Sequence, residues 1–115
     1  MRVLIAIAPT MYWETLELVL LRYRPHLEVR IADPEALDRE TASFEPHLVV
    51  CNEVTPMVRE NVPSWVVVPY HHSSDATIHV RGQGESRVED ISVGDLFAAV
   101  DRTEELFSNP RSSGA

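Results

Sequence analysis

The chain has 115 residues, 44% of them hydrophobic and 24% charged, a size and balance that suit one globular domain with one core. Its formal net charge of −8 works against sequence-independent attraction to nucleic-acid phosphates or anionic lipid, both of which need clustered basic residues. All ten basic residues are arginine, so a lysine Schiff base and a lysine-bearing phosphate loop are excluded.

Arg2–Ala8 is an aliphatic, β-branched run with little polar alternation that ends at Pro9, and it reads as a central parallel strand covered on both faces. Thr10 can cap a helix over about Met11–Tyr23, where Trp13, Leu16, Leu20 and Tyr23 recur at helical spacing and Glu14 complements the helix dipole; Pro25 stops it. Leu27–Ala32 is a second strand. It leads into Asp33-Pro34-Glu35, which has the N-cap, first-position proline and early acid of a second helix running to about Phe44. Within PHLVVCNE, Pro46–Glu53, the run His47–Cys51 forms a third strand, and Asn52 and Glu53 emerge at the carboxyl edge of the sheet. Thr55-Pro56 repeats the cap-and-proline signal for a short helix before Pro63, and Ser64–Val68 is a fourth strand ended by Pro69.

The alternation then breaks. Tyr70–Asp75 is too short for a parallel crossover, which takes about a dozen residues, so the β-rich run Ala76–Val80 is expected to turn back antiparallel. A turn at Gly82-Gln83-Gly84 and a returning strand near Ser86–Ile91 would complete a hairpin at the sheet edge, with Arg81, Glu85, Arg87 and Glu89 exposed. Ser92 and Asp95 have capping-box spacing, and Leu96, Val100, Thr103 and Phe107 mark one face of a last helix. Residues 1–108 therefore read as a single domain and 109–115 as a small, polar, disordered tail. No apolar run reaches the roughly 20 residues of a membrane span, and Val3–Ala8 is no signal peptide, so the expected location is cytoplasmic. The single cysteine, Cys51, has no disulfide partner within the chain and reads as a buried small hydrophobe in a reducing compartment.

In an open parallel sheet, ligands bind at the carboxyl ends of the strands, which here would gather Thr10, Asn52, Glu53, Tyr70 and His71 as candidate ligand-binding residues. Against that stand plainer roles, a helix cap for Thr10 and loop shaping for Asn52 and Glu53. His71, His72 and Asp75 have metal-ligand chemistry, but adjacent histidines in a strand point to opposite faces, so no metal is expected. Ser73 and Ser74 lack a nucleophile-elbow pattern, and the Gly82–Gly84 segment precedes a strand rather than the helix of a phosphate cradle. Tyr12 and Trp13 cannot both face the core, and an exposed aromatic beside Glu14 and Glu17 would suit a protein contact.

The order of elements, and above all PHLVVCN followed by a short helix and an apolar strand, resembles the receiver domain of two-component response regulators, over Arg2 to about Val68 and again over the last helix. The resemblance implies a flavodoxin/receiver-like three-layer α/β sandwich with parallel core order 2-1-3-4, here followed by a C-terminal antiparallel hairpin at the edge. In that family the third strand reads like PDLVLLD and ends in the phosphoacceptor aspartate, a position that falls on Asn52. The acidic Mg²⁺ pair is replaced by Ala8-Pro9-Thr10, the hydroxyl residue after the fourth strand by Pro69-Tyr70, and the family's lysine has no counterpart. What the resemblance then implies is a degenerate receiver, not an enzyme: an unphosphorylated interaction or signalling module with no metal or cofactor, a protein partner, and self-association as one option. The alternative is a metabolite or nucleotide sensor, or a minor enzyme, using the pocket at the carboxyl edge.

Overall fold

The computed structural model describes residues 1–7, 11–69, 75–89 and 91–108, the side chains of 11–14, 93, 107 and 108 excepted. These residues form strands β1 (Arg2–Ala6), β2 (Glu28–Ile31), β3 (Leu48–Cys51), β4 (Ser64–Val67), β5 (Ala76–Val80) and β6 (Gly84–Val88), with helices α1 (Met11–Tyr23), α2 (Leu37–Phe44), α3 (Pro56–Asn61) and α4 (Val93–Ser108). One open, mixed sheet runs β2-β1-β3-β4-β5-β6. Its first four strands are parallel, and β5 and β6 are antiparallel to their neighbours.

Burial follows position in that order. Val3, Leu4, Ile5 and Ala6 of β1 and all four residues of β3 are at most 1% exposed, because helices cover both faces of the central strands. On one face Val3, Ile5, Leu48, Val50, Val66, Ile78 and Val80 meet Leu20 of α1 and Leu96, Ala99 and Val100 of α4. On the other, Leu4, Ala6, Val49, Cys51 and Trp65 meet Leu37 of α2 and Val58 and Val62 in and just after α3. Burying each such aliphatic side chain contributes about 1.5–3 kcal/mol. Ser64 and Thr103 are fully buried polar residues within this packing. Thr103 Oγ1 lies 2.8 Å from both the Ala99 carbonyl and Ser64 Oγ; the carbonyl can only accept, so Thr103 donates to it and accepts a hydrogen bond from the Ser64 hydroxyl.

Two start signals read from the sequence act as expected. Thr55 Oγ1 accepts from the Val58 N–H at 3.2 Å with Pro56 at the first helical position of α3. Before α4, the Ser92 N–H donates to Asp95 Oδ2 at 2.8 Å while the Asp95 N–H donates to Ser92 Oγ at 3.3 Å, a reciprocal capping box. Other expectations need correction. Asp33 makes no side-chain cap bond, and Pro34–Ala36 is a 3₁₀ turn, so α2 starts only at Leu37. Tyr23 is 59% exposed rather than core, with its ring edge-on to Phe97 at 5.8 Å between centroids. The returning strand is Gly84–Val88 rather than Ser86–Ile91. The Gln83 N–H closes a tight turn onto the Val80 carbonyl at 2.9 Å, and Gly82 and Gly84 take φ of +85° and +80°, so pairing resumes at once. Ile91 instead packs against the core ahead of α4. The cap assigned to Thr10, the side chains of Tyr12, Trp13 and Phe107, and the tail 109–115 lie outside the described residues.

The helices on one face are also clamped by charge. Arg24, just after α1, grips Asp101 of α4 with two bonds, Nε to Oδ1 at 3.0 Å and Nη2 to Oδ2 at 2.9 Å, and His26 lies 2.7 Å from Glu104. The Arg24 guanidinium holds the Asp101 carboxyl below the usual carboxylate range. These pairs are solvated, so they orient α4 more than they stabilise it.

Candidate functional site

The carboxyl edge of the sheet is where the receiver resemblance places its chemistry, and there β3 ends at Cys51, followed by Asn52 and Glu53. Asn52 is 5% exposed. Its Nδ2 donates to the Val68 carbonyl at 2.9 Å, one step from the Val68 N–H that donates to the Cys51 carbonyl at 2.8 Å. The amide therefore ties the ends of β3 and β4 together. Glu53, the next residue, is exposed to solvent, so neighbouring candidates in sequence have opposite surroundings. Thr10, Tyr70 and His71, with His72 and the serines after it, lie outside the described residues. Among the described residues, no three of His, Cys, Asp and Glu come together in a way that could hold a metal ion.

Cys51 lies directly before Asn52, and burial pushes its thiol up to about 12. At neutral pH the thiol stays protonated, and Cys51, fully buried, packs as a small hydrophobe. Asn52 offers a neutral amide with its donor used inside the protein. The thiol is thus buried and protonated, and the amide carries no carboxylate of the kind that accepts a phosphoryl group.

The sequence did not signal a cleft of about 420 Å³ at the opposite, amino edge, between α2 and α3, lined by Thr41, Pro46, His47, Met57, Asn61 and Pro63 among others. Its polar groups are largely committed to the fold. Asn61 Nδ2 donates to the Met57 carbonyl at 2.9 Å, and the Arg2 N–H donates to His47 Nδ1 at 3.0 Å, which fixes the proton of the neutral ring on Nε2. Thr41 Oγ1 is buried and has no hydrogen-bond partner among the described residues. Glu45, at the end of α2, adopts a left-handed conformation with φ of 51°, and its carbonyl accepts from Arg2 Nε at 2.9 Å. This edge is a joint between Arg2 and the start of β3.

Burial, followed by the positive charges of Arg2 and the N-terminal amine, holds His47 below the ordinary histidine value. The neutral ring thus stabilises the fold fully above about pH 6.5, and that contribution declines as pH falls from there toward the lowered folded-state value. His47→Asn keeps an acceptor for the Arg2 N–H but cannot titrate. Its unfolding midpoint in urea is expected to fall less than the parent's between about pH 7 and about pH 5, and equal slopes would show that His47 is not the group responsible.

A second feature absent from the sequence reading is an aromatic stack. Trp65 of β4 lies opposite His79 of β5, with ring centroids 4.1 Å apart and planes 14° apart, and the Arg59 guanidinium is 5.7 Å from the Trp65 ring centre. Compared with known proteins, the chain matches no family model, no curated protein and no solved structure.

Proposed function

We propose that the chain is a flavodoxin/receiver-like domain that carries no phosphorylation chemistry and works by contacting other proteins. The observation that carries this reading is Asn52: at the carboxyl end of β3, where a receiver holds its acceptor aspartate, a buried amide donates to the Val68 carbonyl. A group bonded inward in this way ties the β3–β4 end of the sheet together, and at position 52 it offers no anionic oxygen for Mg²⁺ or for attack on phosphorus. The parallel order β2-β1-β3-β4 with α1 and α4 on one face and α2 and α3 on the other supports the same reading. The net charge of −8 makes a protein a better-suited partner than nucleic acid. No helix among the described residues is long and apolar enough to cross a membrane.

Incubation with acetyl phosphate and Mg²⁺ is expected to leave the intact mass unchanged. A gain of one phosphoryl group at any aspartate near β3 would overturn the proposal. A rise in melting temperature with a member of a metabolite and nucleotide panel would instead favour a small-molecule sensor, since a ligand selective for the folded state raises stability by mass action.

A further inference from the structure

Strand β6 ends the sheet, and no strand among the described residues pairs with its outer side. Residues Glu85, Ser86 and Arg87 are exposed, and neither Glu85 nor Arg87 makes an ion pair among the described residues. The register on the inner side sets Glu85 opposite His79 and Arg87 opposite Thr77, on the same face as Trp65. α2 and α3 cover that face only as far as Trp65 and Val67, so Thr77 and His79 stay half-exposed. The other free edge, β2, differs in one respect: Arg30 is already held by Glu40 at 3.1 Å and lies over the Phe44 ring at 4.4 Å.

We propose that β6 binds β6 of a second copy of this chain, antiparallel, about a two-fold axis normal to the sheet at Ser86. The inference rests on the interaction-module reading and names its partner. In that register Glu85 faces the second copy's Arg87, Arg87 faces its Glu85, and the two Ser86 hydroxyls meet at the axis. The axes one residue to either side fail on charge, and an axis at Val88, which would set Arg87 against Glu89, lies at the last residue of the strand and leaves little of it to pair. An axis at residue 85 sets glutamate against glutamate; one at residue 87 sets arginine against arginine and Glu85 against Glu89. Cross-strand pairs of opposite charge are favourable and like charges directly opposite are unfavourable, so charge selects one register out of three. Charged edge residues ordinarily keep sheets apart. Here their alternation admits one self-complementary partner, with the same patch on both copies. The contact is short, so the dimer is weak and exchanging, in keeping with interfaces at the small end of the size range.

Sedimentation equilibrium from about 10 μM to about 1 mM is expected to show the mass rising toward that of a dimer. Glu85→Arg and Arg87→Glu should each weaken association tenfold or more, because each sets two like-charge pairs across the axis. An equimolar mixture of the two variants, and the double variant E85R/R87E, should associate as the parent does. Overall repulsion cannot mimic this pattern, since Glu85→Arg moves the net charge of −8 toward zero and would then strengthen association. A strict monomer at the highest concentration, reversals without effect, or a mixture no tighter than its components would overturn the β6 contact. Any of these would leave the interaction-module reading in place with a different protein as partner, because the phosphodonor experiment tests that reading separately.

Discussion

Replacing Trp65 with alanine is expected to lower stability by about 3–5 kcal/mol, the largest effect of any single truncation on the helix-covered face of β4. Trp65 is 4% exposed and belongs to the cluster of Leu4, Val49, Val58 and Val62, so its removal deletes the largest side chain packed between α3 and the sheet. It also removes the platform on which the His79 ring lies at 4.1 Å, and with it the cross-strand pair at the junction where the sheet changes from parallel to antiparallel. A domain of this size has about 5–15 kcal/mol of stability in all, so the variant should be close to unfolded at moderate temperature. Urea unfolding followed by far-ultraviolet circular dichroism reads the change directly. His79→Ala, which leaves the indole in place and removes only the stacked partner, should cost about 0.5–1.5 kcal/mol. A Trp65→Ala cost below about 1 kcal/mol would mean that α3 collapses onto the sheet without the indole, and that the stack is not what positions β5.

Asn52→Asp introduces the residue type that the receiver resemblance expects, and it is expected to destabilise the protein at pH 7 by about 3 kcal/mol or more. The substitution replaces the donor that bonds the Val68 carbonyl with an oxygen that repels it, at a position 5% exposed. The introduced carboxyl should respond by titrating above the usual carboxylate range. The sign follows from linkage: a folded-state value raised above the unfolded one costs stability that grows as pH rises through that interval and is relieved below it. Relative to the parent, the variant should therefore recover between about pH 7 and about pH 4, and Asn52→Ser, which keeps a donor without a charge, should lose less at pH 7. A variant as stable as the parent at pH 7 would show that the β3 end opens readily to water, and would weaken the case against a working acceptor site there.

Much of the architecture follows from signals that act within a few residues. The unbroken apolar runs of β1 and β3 mark strands buried on both faces, and Thr55-Pro56 and Ser92–Asp95 mark helix starts whose hydrogen bonds are present. Chain length is equally local: the segment between β4 and β5 is too short for a crossover, so the hairpin had to run antiparallel. The exposure of Arg81, Glu85, Arg87 and Glu89 and the end of β3 at Cys51, just before Asn52, were legible for the same reason.

Tertiary structure decided what depends on register between distant segments. Asn52 is a loop former in the sequence; only the parallel pairing of β3 with β4 brings the Val68 carbonyl, sixteen residues away, to its amide. His79 reads as a polar residue of an edge hairpin until the β4–β5 register sets it against Trp65. The Arg24–Asp101 pair, seventy-seven residues apart, and the Glu45 left-handed turn that presents its carbonyl to Arg2 have no local signal. Asp33 shows the converse, a cap signal that is present but unused because the chain tightens into a 3₁₀ turn ahead of α2. Periodicity, caps and loop lengths are short-range constraints on the backbone and are written in consecutive residues. Which polar atoms meet across the sheet is set by strand register, which packing of both core faces fixes only when the whole chain is folded.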